Sequence, residues 1–344
     1  MKRSLEETND LAKDISLACY RQFNLLSSRG KPLENQWTHL AAFVCVNDQN
    51  QIDVISIGTG TKCLGGNKDE RGTNGCLLHD SHAEVIARRA FLRFLYEDIL
   101  RENPFILIKE EEEKKFSLKK SIRVYLFVSY PPCGSAAFLS DPTKRRKFEH
   151  KSLHESNDEL YLKPGKGFQT TSLSCTNKIN RWISQGLQGS LIDQIIPSPI
   201  QLSACLINTN CDLSKIFPNV EVISLNQPFE FGPSKERIRP CPMSISWWKG
   251  LDLSSSFVTV DGYPLGQIQK LRNKQNYANP LAKCSLFQLY LRIMDHLPSS
   301  TTTYAQAKAL STNPLRKIFL EDHPQWTTTD PDIFYSFTLQ SSSL

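Results

Sequence analysis

Apolar residues recur at helical spacing between positions 5 and 26, through Leu11, Ile15, Ala18, Cys19, Phe23 and Leu26, which predicts an amphipathic helix at the start of the fold. Gly30 and Pro32 close it with a turn. Residues 37–46 and 52–57 are rich in β-branched and aromatic side chains and are separated by the polar NDQNQ, so they read as a hairpin. Strand character stops at Gly58, and 58–75 reads as a long Gly-rich loop of the kind that carries function on a rigid scaffold. A second helix is expected over 81–100, capped by Asp80 or Ser81, with Ala83, Ile86, Ala87, Ala90, Phe91, Phe94 and Leu95 forming its apolar stripe.

Beyond it, the charge run KEEEEKK at 109–115 reads as a solvated insertion. Residues 122–128 form a continuous apolar run, the signature of a strand buried on both faces, and it ends at Tyr-Pro-Pro-Cys, where a helix can begin. The stretch 141–166 is polar and basic, with KRRK at 144–147, and reads as a second exposed insertion. Regular elements resume at Leu173. The last third holds the pair Trp247 and Trp248, read as core residues, a helix over 280–296 and another from Tyr304. No internal repeat or long linker divides the chain, so a single domain over 1–344 is expected, with 109–120 and 141–166 as insertions.

Composition narrows the class. With 344 residues, 40% hydrophobic and 22% charged, the chain is folded rather than disordered, collagen-like or coiled-coil. No apolar run approaches the roughly 18 residues of a membrane helix, and the charged MKRSLEETND lacks the core of a signal peptide. An intracellular protein, in nucleus or cytoplasm and neither secreted nor membrane-bound, is the expectation. Its ten cysteines are then reduced, as core thiols or metal ligands. The net charge of +6 suits a polyanionic partner without specifying one.

The chemistry concentrates at His82-Ala83-Glu84 and Pro132-Cys133. In zinc deaminases of nucleobases a His and two Cys hold the metal, and a Glu two residues after the His moves protons; the signature is His-x-Glu with Pro-Cys-x-x-Cys. Here the second cysteine of that pair is replaced by Ala136, so a further ligand must come from elsewhere in the chain.

Four stretches, GTGTKC at 58–63, HDSHAE with VIARRAFLRFL at 79–95, PPCG at 131–134 and SLSCTNKINRWISQGLQGSL at 172–191, closely resemble the deaminase domain of adenosine deaminases acting on RNA. The resemblance runs from about Ala12 to Phe334. It implies an α/β fold, a cytidine-deaminase-like three-layer sandwich with a central mixed sheet and helices on both faces, enlarged by extra helices. It also implies His82, Cys133 and Cys175 as zinc ligands and Glu84 as the proton shuttle of a hydrolase that converts adenosine to inosine. GKPLENQWTHLAAFV at 30–44, with no duplex-RNA-binding module, resembles the tRNA-specific branch, implying alanine tRNA as partner and the adenosine beside its anticodon as target.

Three ligands would leave a fourth tetrahedral position open for water, the pattern of a catalytic zinc. Members of this family also enclose a 1D-myo-inositol hexakisphosphate. The matching cations here are Arg88, Arg89, Lys178, Arg181, Lys283 and Lys308, with Tyr304 and Trp326 near it. The chain departs from the family at Ser135, His79, Pro298 and Thr329, the last two falling where basic residues are expected, and in the spacing before Trp326. Thr61 and Lys62 match residues that approach the target nucleotide. KRRK reads equally as a phosphate track, a nuclear import signal or a solvated loop. Other functional readings are an editing deaminase on other structured RNA, a cytosine deaminase, and a non-catalytic scaffold binding RNA or inositol phosphate, the last opposed by Glu84.

Overall fold

The computed structural model describes residues 5–65, 73–111, 114–147, 149–151, 160–164, 170–294, 302–324, 326 and 336–339. Its centre is an eight-stranded sheet of β1 (Leu40–Val46), β2 (Ile52–Thr59), β3 (Arg123–Val128), β4 (Leu202–Asn208), β5 (Glu221–Leu225), β6 (Met243–Trp248), β7 (Phe257–Val260) and β8 (Tyr263–Pro264), in the order β5-β4-β3-β1-β2-β6-β7-β8. β4 runs parallel to β3 and to β5, whereas β1 is antiparallel to both of its neighbours, so the sheet is mixed.

Strand periodicity sorts the core into two layers. From β1, Ala41, Phe43 and Cys45 enter one apolar cluster and Leu40, Ala42, Val44 and Val46 the other. β3 alternates in the same way, with Val124, Leu126 and Val128 on the first side and Tyr125 and Phe127 on the second. One face is covered by α1 (Leu5–Leu25), which buries Ala12, Ile15, Cys19 and Phe23 as its spacing predicts. The other carries α2 (Ala83–Ile99), α4 (Cys175–Gln185) and α6 (Lys283–Ile293). The short α3 (Ser135–Ser140) and α5 (Gly189–Ile192), with α7 (Tyr304–Ala309) and α8 (Pro314–Asp322), complete the helices used below.

Several boundaries differ from the sequence reading for tertiary reasons. Strand character does not stop at Gly58: β2 continues to Thr59, and Thr61–Cys63 pairs antiparallel with Asp80–His82. α2 consequently starts at Ala83, with His82 at its N-cap and no side-chain cap; Asp80 is engaged elsewhere. Gly58 is needed because α2 crosses β2 closely: a Cβ there would lie 2.3 Å from the Ala87 nitrogen. The stretch 141–166, read as exposed, has a buried end, where Leu160, Tyr161, Leu162 and Lys163 are each under one-tenth exposed. At 107–118 a small hairpin, Leu107–Lys109 with Phe116–Leu118, flanks the charge run. Trp247 and Trp248 are core residues, each 2% exposed. Residues 66–72 of the Gly-rich loop, the end of the expected 280–296 helix, Pro298 and Thr329 lie outside the described residues. No helix among those described is long and apolar enough to cross a membrane.

Candidate active site and basic cavity

Three loop-to-helix junctions converge on the first face of the sheet. His82 is the N-cap of α2 and Glu84 lies in its first turn, 5% exposed. Cys133 follows β3 through Pro131 and Pro132, just before α3; Cys175 opens α4, whose N-cap Ser174 accepts a hydrogen bond from the Asn177 nitrogen. Gly134 has φ of +100°, and a Cβ on it would meet Ser174 Oγ at 2.4 Å, so glycine lets the two cysteine loops touch. The Cys175 nitrogen donates to Cys133 Sγ at 3.2 Å, and Cys175 Sγ lies 3.2 Å from Glu84 Oε2.

The charges around these groups are arranged with care. Burial opposes ionisation of Cys133, yet hydrogen bonding from Cys175 together with Lys163 and His82 holds its thiol well below the ordinary range. Burial and the neighbouring Cys133 push Cys175 the other way. Burial, reinforced by Cys133, raises the Glu84 carboxyl above its ordinary range. Thr61 pairs directly with His82 across the short ribbon and Lys62 with Ser81, so both sequence-predicted substrate residues border this site, Lys62 exposed and Thr61 half-buried.

His82 is oriented by Asp80, whose Oδ1 lies 2.7 Å from the ring Nδ1. That leaves Nε2 open to a metal, and a carboxylate behind a ligating imidazole is a common supporting arrangement. The donor set of one imidazole and two thiols fits zinc chemically. Among the described residues, however, no group of three or more His, Cys, Asp or Glu side chains is placed to hold a metal ion.

Sequence reasoning missed the groups behind this site. Lys163, its side chain wholly buried, donates to Asp80 Oδ2 at 2.6 Å and to Cys175 Sγ at 3.2 Å. Lys178 reaches the same Asp80 oxygen and donates to Ser172 Oγ at 2.6 Å. Burial disfavours the Asp80 carboxylate, but Lys163, Lys178 and His82 outweigh it and hold its carboxyl well below the usual range. The one sequence signal was a lysine ending the apolar Leu-Tyr-Leu.

Lys178 also opens onto a cavity of about 370 Å³. All six cations expected to face an anion, Arg88, Arg89, Lys178, Arg181, Lys283 and Lys308, line it, as do Tyr304 and Trp326. Arg316, at the start of α8, is an addition that sequence reasoning did not supply. Arg88 Nη2 donates to the Leu187 carbonyl and Arg89 Nε to that of Leu281, while Arg88 Nε is buried without a hydrogen-bond partner. Burial with Arg181 and Arg89 nearby lowers Arg88 to about 9, and burial with Arg316, Arg181, Lys283 and Arg89 lowers Lys308 to about 7. So many cations lining one cavity repel one another, a charge pattern suited to an anion.

A mixed sheet that presents His-x-Glu at one helix start against Cys133 and Cys175 at two others defines a hydrolytic deaminase. The model of the adenosine-deaminase (editase) domain matches residues 56–163 and 144–321, and the chain belongs to that family. It is similar to "tRNA-specific adenosine deaminase 1" of Drosophila melanogaster, 28% identical over 86% of this chain and 85% of that protein. The Homo sapiens protein of the same name is 24% identical over 83% of this chain and 89% of its own length. "Double-stranded RNA-specific editase Adar" of Drosophila melanogaster is 30% identical, over 49% of this chain and 29% of the editase.

Proposed function

We propose that the protein deaminates adenosine to inosine in tRNA, at the adenosine beside the anticodon of alanine tRNA. The observation that carries this reading is the contact between Glu84 and Cys175, with Cys133 on the same cysteine and His82 two residues before Glu84 at the start of α2. The tRNA substrate is supported by relatives named for it that match over more than four-fifths of both chains, against half of this chain for the editase. We assign the fold to the cytidine-deaminase-like sandwich, in keeping with helices on both faces of the mixed sheet.

His82, Cys133 and Cys175 would hold zinc, which lowers the proton affinity of water enough to supply a nucleophile at neutral pH. Glu84 accepts a proton from the attacking water and passes it to adenine N1. It then takes the proton of the hydroxyl added at C6 and delivers it to the departing amine, so that ammonia leaves and the C6 carbonyl of inosine remains. Its burial excludes competing solvent, and the raised carboxyl matches a group that must hold the proton between the two transfers. Asp80 keeps the His82 ring fixed; Thr61 and Lys62 face the nucleotide. The seven cations of the cavity, Arg316 included, would hold inositol hexakisphosphate, whose charge relieves their repulsion.

Incubation of the zinc-loaded protein with alanine tRNA, followed by inosine mapping, is the test. Inosine beside the anticodon is expected. A folded, zinc-loaded protein that leaves this tRNA unchanged but converts adenosine in a long RNA duplex would replace the tRNA reading with an editing one.

A further inference from the structure

Eight cysteines have no part in the chemistry above, and two of them meet. Cys76 and Cys284 are 0% and 1% exposed, with their sulfurs in contact at 3.8 Å although 208 positions apart in sequence. The Cys284 nitrogen donates to the Gly75 carbonyl at 3.2 Å, so the two backbones are held side by side. Sulfurs in contact on backbones joined by a hydrogen bond are the starting geometry from which a disulfide can close. The Cys76 side of the pair is fixed from behind. Gly75 has φ of +73°, and a Cβ on it would come 2.4 Å from the Phe337 ring, which itself stacks on Tyr304.

The two cysteines also stand in different electrostatic settings. Cys284 is in the first turn of the 11-residue α6, where the helix terminus favours a thiolate. Hydrogen bonding from Cys76 lowers it further, against the effect of burial. Cys76 lies just before Leu77, Leu78 and His79, and Cys284 just after Lys283, and these four neighbours all line the basic cavity.

We infer that Cys76 and Cys284 form an oxidisable dithiol whose disulfide ties together two segments that line the basic cavity and slows release of the polyphosphate held there. The cavity's ligand rests on the function proposed above; the bond itself does not. The oxidant is a small peroxide. The Cys284 thiolate attacks one peroxide oxygen, giving a sulfenic acid and releasing hydroxide, which leaves as water. The Cys76 sulfur then loses its proton and attacks the sulfenic sulfur, the S–S bond forms, and the second hydroxide leaves as water. Two thiols are oxidised and one hydrogen peroxide is reduced to two waters.

The test treats the zinc-loaded full chain with hydrogen peroxide under native conditions and maps unreduced peptides by mass spectrometry. A Cys76–Cys284 peptide short of two hydrogens, absent from Cys284→Ser and from Cys76→Ala and reversed by dithiothreitol, is expected. Oxidation elsewhere with these two still reduced, or a link formed only after denaturant is added, overturns the bond. Release of labelled inositol hexakisphosphate is then compared in reduced and oxidised protein. Several-fold slower release from the oxidised form supports the lock, and equal release overturns it. Failure of the reduced protein to bind the label strikes the anion reading of the cavity, while the peptide map still decides the bond.

Discussion

Lys163 meets Asp80 at 2.6 Å although 83 positions separate them, and the same ammonium reaches Cys175 Sγ at 3.2 Å. A buried cation therefore stands behind both the cysteine proposed to hold zinc and the carboxylate that orients His82. Replacing Lys163 by Met leaves Asp80 with less compensation and removes a donor from the Cys175 sulfur. Loss of such a supporting contact typically costs roughly 10–100-fold in metal affinity. Zinc titration against a chelator is expected to show a loss of that order, and an unchanged affinity would remove Lys163 from the site.

Glu84→Gln keeps the size of the side chain but cannot carry a proton. Turnover is expected to drop by at least about 10²-fold, in line with the value of a positioned acid–base group, with zinc content unchanged by elemental analysis. Metal loss in this variant would assign Glu84 a structural role instead.

Only two of the ten cysteines are placed against Glu84 or one another at this site. Cys133→Ser and Cys175→Ser are expected to lower zinc content to near background, whereas Cys211→Ser and Cys241→Ser leave it intact. A zinc-free Cys241→Ser protein would mean that the ligand set is wrong.

Gly134→Ala tests the loop contact without touching a ligand. The positive φ and the clash with Ser174 Oγ force the Cys133 loop away from α4. Strain of this kind costs on the order of 1–3 kcal/mol. A lower melting temperature together with weakened zinc binding is the expected pair of results; wild-type values for both would show that the loop adapts.

The lowering of Lys308 from its ordinary 10.5 to about 7 makes stability depend on pH. Between those values the unfolded chain binds a proton that the folded, anion-free protein does not, so stability falls as pH drops from 10.5 towards 7 and this contribution flattens below 7. A bound polyanion restores the proton to Lys308 and removes the slope. Melting curves over pH 7 to 8, below the range in which Arg88 titrates, are expected to show the slope only without inositol hexakisphosphate, and Lys308→Met to abolish it.

Much of this architecture is written locally. The 3.6-residue spacing of Ile15, Cys19 and Phe23 and the apolar run of β3 are satisfied by any fold that buries them, which is why both elements form where expected. His82 and Glu84 are likewise joined by the start of one helix, so their partnership is visible in three letters. The cap at Asp80 was misread because a carboxylate before a helix is a local cap only if nothing stronger takes it, and here two lysines do. Lys163 was read as part of an exposed stretch because its compensating charge lies in another element.

What the sequence by itself determined is the alternation of the strands, the periodic helices and the set of residue types competent for deamination. The tertiary structure alone decided which cations share one cavity, that Lys163 supports Asp80 and Cys175, and that Cys76 faces Cys284. Periodicity is a property of neighbouring residues and survives any rearrangement of the chain. The burial of a charge or the approach of two thiols depends on partners brought from distant positions, and only the packed fold supplies them.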